Sequence, residues 1–254
     1  MYAKKSLGQN FLMHSKVAER IAEGAGIESN DVVLEIGPGT GKLTEHLLKC
    51  ASQVIAVEKD NYLFESLKEK FKEAVQSKKL ILLNEDILDF KIEKLKIKNY
   101  KIVANIPYNI TGAILKKFLT AKNKPSSMTL LVQKEVAERI MARDKKESLL
   151  SISVKIYGEP KILFAVGRGN FIPAPNVDSA VIKISGISNK NFKKGGVSEE
   201  KFWEVVRAGF AHKRKRLGNN LKTLKNRGIN EGNWESSRAE DLSPEDWFML
   251  LKSL

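Results

Sequence analysis

The fold is decided by one short stretch of the sequence, Glu35-Ile36-Gly37-Pro38-Gly39-Thr40-Gly41. An apolar run, Val32–Ile36, leads into it, and a helical pattern begins near Lys42. Glycines at such a junction let the backbone turn tightly and approach a ligand, and the N-terminus of the following helix offers free N–H groups. The spacing is G-x-G-x-G rather than the G-x-G-x-x-G of many dinucleotide sites. The stretch therefore predicts a nucleotide-binding loop between a strand and a helix, with Gly37 and Gly39 close to the ligand.

Outward from this loop, strand-like and helix-like segments alternate between about residue 30 and residue 185. Helical-length stretches such as 62–74 separate short apolar runs that are typical of buried parallel strands. The predicted strands are Val32–Ile36, Val54–Val57, Leu80–Leu83, Ile102–Ala104 and Met128–Val132. Two later runs, Ile152–Tyr157 and Ala180–Ile184, have no comparable helix between them and predict an antiparallel edge. The pattern predicts a doubly wound, Rossmann-like α/β domain over residues 1–185, with ligands at the carboxyl ends of its strands.

The character of the sequence changes after this domain. Residues 186–197 are polar, contain glycines and lack periodicity, which is typical of a linker. Within 198–254, Ser198 is a candidate N-cap, and the apolar residues that follow it share one helical face. Ser243 and Pro244 predict a second helix start. We therefore expect a small C-terminal all-α domain.

Composition excludes several classes of protein. A single cysteine, Cys50, rules out an internal disulfide, and three histidines leave no zinc-site spacing, so we expect no metal. No apolar run approaches the ~20 residues that span a bilayer. The N-terminal residues carry charge without an apolar region behind them, so no secretory signal is recognised. We expect a cytoplasmic protein without a membrane partner.

The charge balance favours a polyanionic partner. The chain has 44 Lys+Arg and 30 Asp+Glu, a net charge of +14, and such a surplus points to nucleic acid more than to an anionic membrane. The densest run, Lys213 to Arg227, holds seven basic residues and no acid. Its candidate RNA contacts are Lys213, Arg214, Lys215, Lys222 and Lys225. We expect the last four to lie along a helical surface that follows phosphates, the alternative being a solvated basic face.

Two acidic positions extend the predicted nucleotide pocket. Glu58 follows the second strand, where a carboxylate can bind both hydroxyls of a ribose. Asp86 follows the third strand and is placed to accept a hydrogen bond from an adenine amino group. Together with the glycine loop they describe a pocket for an adenosine that needs no pyrophosphate. S-adenosylmethionine fits this pocket better than NAD does.

The segment Asn105-Ile106-Pro107-Tyr108 follows the fourth strand and suggests a reaction. The exocyclic amine of adenine is a poor nucleophile because its lone pair is delocalised into the ring. The Asn105 oxygen and a backbone carbonyl beside Pro107 can each accept one of its N–H bonds, which localises the lone pair towards a methyl sulfonium. Tyr108 offers a flat face to an extruded base. Phe171 either covers the opposite face of that base or is a core residue held by a proline-rich loop.

The ordered set of motifs resembles the KsgA family of ribosomal RNA adenine dimethyltransferases. The motifs are Lys5–Leu12, Glu35–Gly41, Asn105–Asn109, Gln133–Arg139, Phe171–Pro173, Phe210–Lys215 and Arg238–Ser243. The resemblance implies contacts to S-adenosylmethionine at Asn10, Leu12, Gly37, Glu58, Asp86 and Asn105. It places the target adenine at Asn105 and Tyr108, with Phe171 on the opposite face.

Members of that family transfer four methyl groups to the N6 amines of two adjacent adenosines in a hairpin near the 3′ end of 16S rRNA. The implied partner is the immature 30S subunit, and nothing in the sequence requires more than a monomer. The chain departs from the family pattern at Thr111-Gly112-Ala113, where Ser-Thr-Pro is common, and at Lys213-Arg214-Lys215, which replaces Arg-Arg-Lys.

Three other functions remain open at this point. An erythromycin-resistance-type 23S rRNA methyltransferase has a similar fold and the same Asn-x-Pro-Tyr pattern. A noncatalytic ribosome-assembly or RNA-binding factor is a second alternative, although Glu58, Asp86, Asn105 and Tyr108 are all present. An NAD-dependent dehydrogenase is disfavoured by the spacing of the glycine loop.

Overall fold

The computed structural model describes residues 8–95, 97–225, 234 and 236–252. They form two compact units. The first comprises the chain up to Ala137 together with Pro160–Ile187, and the second comprises Glu138–Glu159 and the chain from Ser188 onward. The second unit thus includes Glu138–Glu159, which lie within the α/β domain predicted over residues 1–185, so the units differ from the predicted boundaries.

The first unit is built on a seven-stranded sheet with the strand order β4-β3-β2-β5-β6-β9-β7. The strands are β2 (Val32–Ile36), β3 (Gln53–Val57), β4 (Leu80–Leu83), β5 (Lys101–Asn105), β6 (Ser127–Gln133), β7 (Glu159–Val166) and β9 (Ser179–Ser185). Neighbours from β4 to β6 are parallel, and β9 is antiparallel to β6. This confirms the doubly wound sheet and, of the two predicted antiparallel strands, the one at Ala180–Ile184. A separate antiparallel pair is formed by β1 (Phe11–Leu12) and β8 (Phe171–Ile172).

Helices alternate with the parallel strands, as the sequence pattern predicts. They are α1 (Ser15–Ala25), α2 (Lys42–Cys50), α3 (Asn61–Lys70), α4 (Lys72–Gln76), α5 (Thr111–Leu119) and α6 (Lys134–Met141). Of these, α2, α3, α4 and α5 lie between the parallel strands, α1 precedes β2 and α6 follows β6. Successive residues of the central strands, such as Ile102 and Val103, are fully buried because both faces of the sheet are covered. The Asp60 side chain begins α3 by accepting hydrogen bonds from the N–H groups of Tyr62 and Leu63.

The predicted strand at Ile152–Tyr157 is wrong, because this segment forms α7 (Leu149–Lys155). Ser148 caps the helix and exchanges hydrogen bonds with Ser151 in a capping box. Ile152, Val154 and Ile156 are all fully buried. A helix buried on several sides loses the periodicity that distinguishes it from a strand. The edge strand of the sheet is instead β7.

The second unit is mainly helical. Besides α7 it contains α8 (Lys190–Gly195), α9 (Glu199–Gly209), α10 (Leu217–Asn220), α11 (Lys222–Lys225) and α12 (Pro244–Lys252). The Ser198 cap is confirmed, since its side chain accepts a hydrogen bond from the Lys201 N–H at 3.2 Å. Pro244 is the first residue of α12, as predicted. None of the helices in the described part of the chain is long and apolar enough to span a membrane.

The predicted linker at 186–197 is wrong in its central part, which forms α8. One aromatic side chain explains the helix. Phe192 packs against Tyr157, Phe202 and Phe248, with ring centroids 5.4–5.9 Å apart. A single buried ring gives no repeating pattern in the sequence, and so the segment has the composition of a linker.

The glycine loop depends on close packing against α3. Gly41 has φ +76°, and a Cβ atom there would lie 2.5 Å from Cε2 of Phe71 and 2.9 Å from Cδ2 of Leu67. Gly37 also has a positive φ, +62°, but a Cβ atom there would meet nothing within 4 Å. At both positions a residue with a Cβ atom would be strained by the positive φ, but only at Gly41 would the Cβ atom also overlap neighbouring side chains.

We predict that Gly41→Ala lowers the free energy of unfolding by about 3 kcal/mol, from backbone strain plus overlap. Gly37→Ala, the matched control, should cost only about 1 kcal/mol from strain. Urea unfolding of both variants measures the difference. Equal losses would show that Phe71 and Leu67 do not restrain the loop.

Candidate active site

A cavity of about 180 Å³ opens at the carboxyl ends of the parallel strands. It is lined by the glycine loop after β2, by residues after β3 and β4, by 105–110 after β5, and by the N-terminal segment 8–12. The chain leaves β2 towards β3 on one side, while β5 pairs with β2 on the other. Such a reversal of strand order creates a crevice, which is where doubly wound folds bind ligands.

The structure brings most of the predicted site residues together here. The cavity is lined by Asn10, Leu12, Gly37, Gly39, Glu58, Asp86, Asn105, Pro107 and Tyr108. Phe171 is placed elsewhere: its side chain is 2% exposed and belongs to the hydrophobic core that also contains Leu12 and Val181. The position of Phe171 agrees with the core alternative, and its stacking role stays a prediction.

The Glu58 carboxyl is held by the backbone on both oxygens. Its Oε2 accepts a hydrogen bond from the Gly39 N–H at 3.1 Å, and its Oε1 accepts one from the Asp60 N–H at 2.8 Å. Burial raises the pKa of Glu58, while these hydrogen bonds oppose the shift. The glycine loop and the end of β3 therefore orient one carboxyl group, with lone pairs left for a ligand.

Asp86 forms an ion pair that the sequence did not suggest. Its Oδ2 lies 2.7 Å from Nζ of Lys59, and its Oδ1 accepts a hydrogen bond from the Leu88 N–H at 2.8 Å. The hydrogen bond from Lys59 lowers the pKa of Asp86. Because Lys59 is largely exposed, this pair contributes little to stability, and a ligand can compete for Asp86 at small cost.

The N-terminal segment crosses the site and is held by Asn105. The Asn105 Nδ2 donates a hydrogen bond to the backbone carbonyl of Asn10 at 3.0 Å. The ring of Phe11 lies over Gly39, where a Cβ atom would come within 3.0 Å of its Cδ1. With Nδ2 engaged, the Asn105 amide presents Oδ1, an acceptor, to a ligand.

Two features of the following turn bear on its chemistry. The Pro107 carbonyl accepts the N–H of Ile110 at 3.2 Å, whereas the Ile106 carbonyl, which also belongs to the lining of the cavity, accepts none of the loop hydrogen bonds among the described residues. The Tyr108 hydroxyl hydrogen-bonds the Ser179 Oγ at 2.6 Å. Burial raises the pKa of Tyr108, which keeps its phenol neutral.

Glu35, at the end of β2, is the most strongly perturbed acid of the cavity. It is 1% exposed, and its Oε2 accepts a hydrogen bond from Oγ1 of Thr44 at 2.7 Å. Burial raises its pKa to about 8, so the folded protein holds Glu35 protonated at neutral pH.

Sequence reasoning assigned no role to Glu35, Lys59 or Ser179. An acid inside an apolar strand was a visible signal for Glu35. Lys59 follows Glu58 directly, but its partner is 27 residues away. Ser179 is 71 residues from Tyr108, and no local pattern indicates such a pair. The described residues contain no cluster of three or more His, Cys, Asp or Glu that would hold a metal ion.

The basic residues of the second unit are exposed but are not arranged as predicted. Lys213, Arg214 and Lys215 lie in a turn between α9 and α10, and Lys222 begins α11. The side chain of Lys225 and the whole of Arg227 lie outside the described residues. The predicted helical surface is therefore wrong for Arg214 and Lys215.

The Asn220 side chain explains this turn. Its Nδ2 donates hydrogen bonds to the carbonyls of Gly209 at 2.6 Å and His212 at 3.1 Å, which satisfies groups at the end of α9. We name Lys213–Arg216 the basic turn.

The raised pKa of Glu35 predicts a pH-dependent stability. The unfolded chain ionises Glu35 near its ordinary value of 4.5, whereas the folded chain does so only near about 8. Stability is therefore lost as pH rises between these values. We predict that Glu35→Gln, which keeps an acceptor for Thr44, reduces this loss by a few kcal/mol, on the order of 4.

Urea unfolding between about pH 5 and about pH 8 measures the effect. Glu69→Gln, at an exposed position on α3, is the control for the substitution itself and should keep the wild-type slope. If Glu35→Gln has the wild-type slope as well, the carboxyl of Glu35 is not neutral in the folded protein.

Comparison with known proteins identifies the family of the chain. The family model for ribosomal RNA adenine dimethylase matches residues 1–254. A ribosomal RNA small subunit methyltransferase A from Dehalococcoides mccartyi is 43% identical, covering 98% of this chain and 87% of its own.

Two crystal structures have similar folds. A dimethyladenosine transferase from Plasmodium falciparum has a TM-score of 0.80 at 26% identity, covering 95% of this chain and 96% of its own. The 23S rRNA methyltransferase ErmE has a TM-score of 0.76 at 27% identity, covering 96% and 99%. The match of the family model over the whole chain, supported by these similarities, shows that the chain belongs to the ribosomal RNA adenine dimethylase family.

Proposed function

We propose that this chain transfers methyl groups from S-adenosylmethionine to the N6 amines of two adjacent adenosines in 16S rRNA of the immature 30S subunit. One observation carries the proposal. Asn105 lies in the cavity with its Nδ2 bound to the Asn10 carbonyl, so that Oδ1 has no partner among the described residues. An acceptor fixed in this orientation can bind an N–H of the adenine amine and favour the state in which the nitrogen lone pair is no longer delocalised into the ring.

The donor set of the cavity fits S-adenosylmethionine, which supplies a methyl group activated on a sulfonium. The Glu58 carboxyl, already oriented by two backbone N–H groups, suits a pair of ribose hydroxyls. Asp86 would accept a hydrogen bond from the adenine amine. Its Oδ2 would then either bind both this amine and Lys59 or release Lys59. Gly37 and Gly39 allow close backbone approach, and Asn10 and Leu12 would close the cavity from the N-terminal segment.

The protein's part in the reaction is to hold the target amine and raise its nucleophilicity. Asn105 Oδ1 accepts one N–H, and the Ile106 carbonyl, which accepts no loop hydrogen bond among the described residues, accepts the other. Pro107 contributes by having no N–H of its own and by restricting the backbone. Tyr108 supplies the face on which the extruded base stacks. Positioning and electrostatics then account for the catalysis.

The small-subunit substrate is supported by the similarity to a methyltransferase of that name at 43% identity. The second candidate is a 23S rRNA substrate, which the similarity of the fold to ErmE favours. The higher identity to the small-subunit enzyme decides our choice between them.

RNA binding would involve the basic turn of the second unit. Its four cationic side chains are exposed, and exposed cations gain affinity for RNA by releasing counterions from phosphates. We propose that Lys213, Arg214, Lys215, Lys222 and Lys225 contact phosphates of the subunit. The proposal also includes a cytoplasmic monomer without a metal, since one chain contains all the groups used above.

The deciding experiment incubates the protein with S-adenosylmethionine and unmethylated 30S or 50S subunits, and measures modified nucleosides by mass spectrometry. We expect N6,N6-dimethyladenosine on 30S only. Asn105→Ala should lower transfer by at least about a hundredfold, since it removes the acceptor that polarises the amine. Product on 50S would support the second candidate. No product with either subunit would contradict a methyltransferase acting on these RNAs.

We predict that replacing Lys213, Arg214 and Lys215 by Ala weakens binding to 30S subunits. The loss of three phosphate contacts should reduce the slope of log affinity against log salt by about 2 to 3. The matched control replaces Lys190, Lys193 and Lys194 of α8, which removes the same charge from another part of the unit. Filter binding at several salt concentrations measures both. Equal slopes for the two triple variants would mean that net charge, not the basic turn, determines affinity.

A further inference from the structure

The Tyr108 ring is anchored at its far end by a residue from a distant strand. Its hydroxyl hydrogen-bonds Oγ of Ser179, the first residue of β9, at 2.6 Å. Tyr108 lines the cavity, whereas Ser179 is completely buried beneath it. The hydrogen bond therefore connects a side chain that lines the cavity to a residue buried in the sheet.

Ser179 is itself held in place by the backbone around it. It pairs with Gln133 at the end of β6. The preceding residue, Asp178, accepts the Lys134 N–H on its backbone carbonyl at 2.9 Å and the Arg168 N–H on its side chain at 3.0 Å. These bonds fix the position of the serine hydroxyl relative to the sheet, which makes it a rigid anchor rather than an adaptable partner.

The anchor restricts the motion that matters most for stacking. A tyrosine ring held only at Cβ can tilt about its two side-chain torsions. A hydrogen bond at the phenol oxygen holds the far end of the ring and so limits rotation about χ1. Because hydrogen bonds of a phenol lie near the plane of its ring, the same bond also favours the ring plane that contains the Ser179 Oγ. Catalytic groups must be held within about 10–20° of the productive orientation. A base stacked on Tyr108 lies parallel to its ring, so the orientation of the ring determines that of the base.

We propose that Ser179 is a positioning residue for methyl transfer, which sets the plane of the Tyr108 ring and through it the direction of the adenine amine. The inference rests on the proposed function, in which an adenine stacks on Tyr108. Ser179 touches neither the base nor the methyl donor. Its effect is therefore on the rate of transfer and not on binding of S-adenosylmethionine.

The test is a double-mutant cycle with Ser179→Ala and Tyr108→Phe, which remove the same hydrogen bond from opposite ends. Tyr108→Phe leaves β9 unchanged and so covers the case in which Ser179→Ala folds poorly. Ser127→Ala is the matched control, because Ser127 is a buried serine at the other end of the β6–β9 pair. The assays measure kcat and KM for unmethylated 30S subunits and the dissociation constant of S-adenosylmethionine by calorimetry.

We expect each single variant to lower kcat about tenfold, the size of one lost hydrogen bond. The double variant should be no slower than the slower single variant. The dissociation constant of S-adenosylmethionine should stay within about twofold, and Ser127→Ala should keep the wild-type kcat. The fraction of N6-monomethyladenosine should rise in both single variants, because the second transfer must align a bulkier amine.

Two results would overturn the inference while leaving the proposed function intact. One is a wild-type kcat for Ser179→Ala, and the other is losses that multiply in the double variant, since independent effects mean that Ser179 does not act through Tyr108. Absence of dimethyladenosine with the unsubstituted protein would instead overturn the proposed function, and this inference with it.

Discussion

The pairing of β5 alongside β2 is the constraint on which the site depends. Because these parallel strands are neighbours, the glycine loop after β2 and the Asn105 turn after β5 emerge side by side at one edge of the sheet. The loop after β2 would otherwise have no partner across the crevice. β3, on the other side of β2, then brings Glu58 to the same edge, where its carboxyl is bound by the Gly39 N–H. One pairing order thus assembles Gly39, Glu58 and Asn105, although Gly39 and Asn105 are 66 residues apart in the chain.

Asn105 links the architecture to the chemistry, because its two amide atoms have different tasks. Nδ2 binds the carbonyl of Asn10 and so holds the N-terminal segment across the cavity. The same bond determines which amide atom faces the ligand. An aspartate at this position would lack the donor for the Asn10 carbonyl, and an alanine would lose both tasks. The requirement for an amide therefore follows from the contacts of the free protein as well as from the reaction.

Local sequence patterns predicted the parallel sheet well, because each strand is an apolar run bounded by polar or glycine residues. Val32–Ile36 and Leu80–Leu83 have the predicted bounds. Patterns failed where tertiary packing decides the outcome. The segment Ile152–Tyr157 is buried on several sides and so looked like a strand, and α8 depends on the single ring of Phe192.

The same distinction applies to the site. Residues that follow a strand directly, such as Glu58 and Asn105, were predicted, because the end of a strand indicates where they lie. Phe171 was predicted from a motif, but pairing of β8 with β1 and burial in the core decide its position. The bond between Tyr108 and Ser179 joins two motifs that the sequence presents separately, and only the register of β9 against β6 brings them together.

The distribution of charge separates the two ligands that the protein is proposed to bind. The chain as a whole is strongly basic at +14, yet the acids of the site are concentrated where β2, β3 and β4 end.

The acids of the cavity differ in their state. Glu35 is neutral at pH 7 because burial raises its pKa to about 8, and Asp86 is paired with Lys59. Asp60 is engaged in capping α3, and Glu58 is oriented by two backbone N–H groups. A polyanion is attracted by exposed cations such as those of the basic turn, and a small cation is accommodated in a cavity that holds few uncompensated charges. The polyanion therefore meets exposed positive charge, whereas the small cation meets the carboxyl of Glu58.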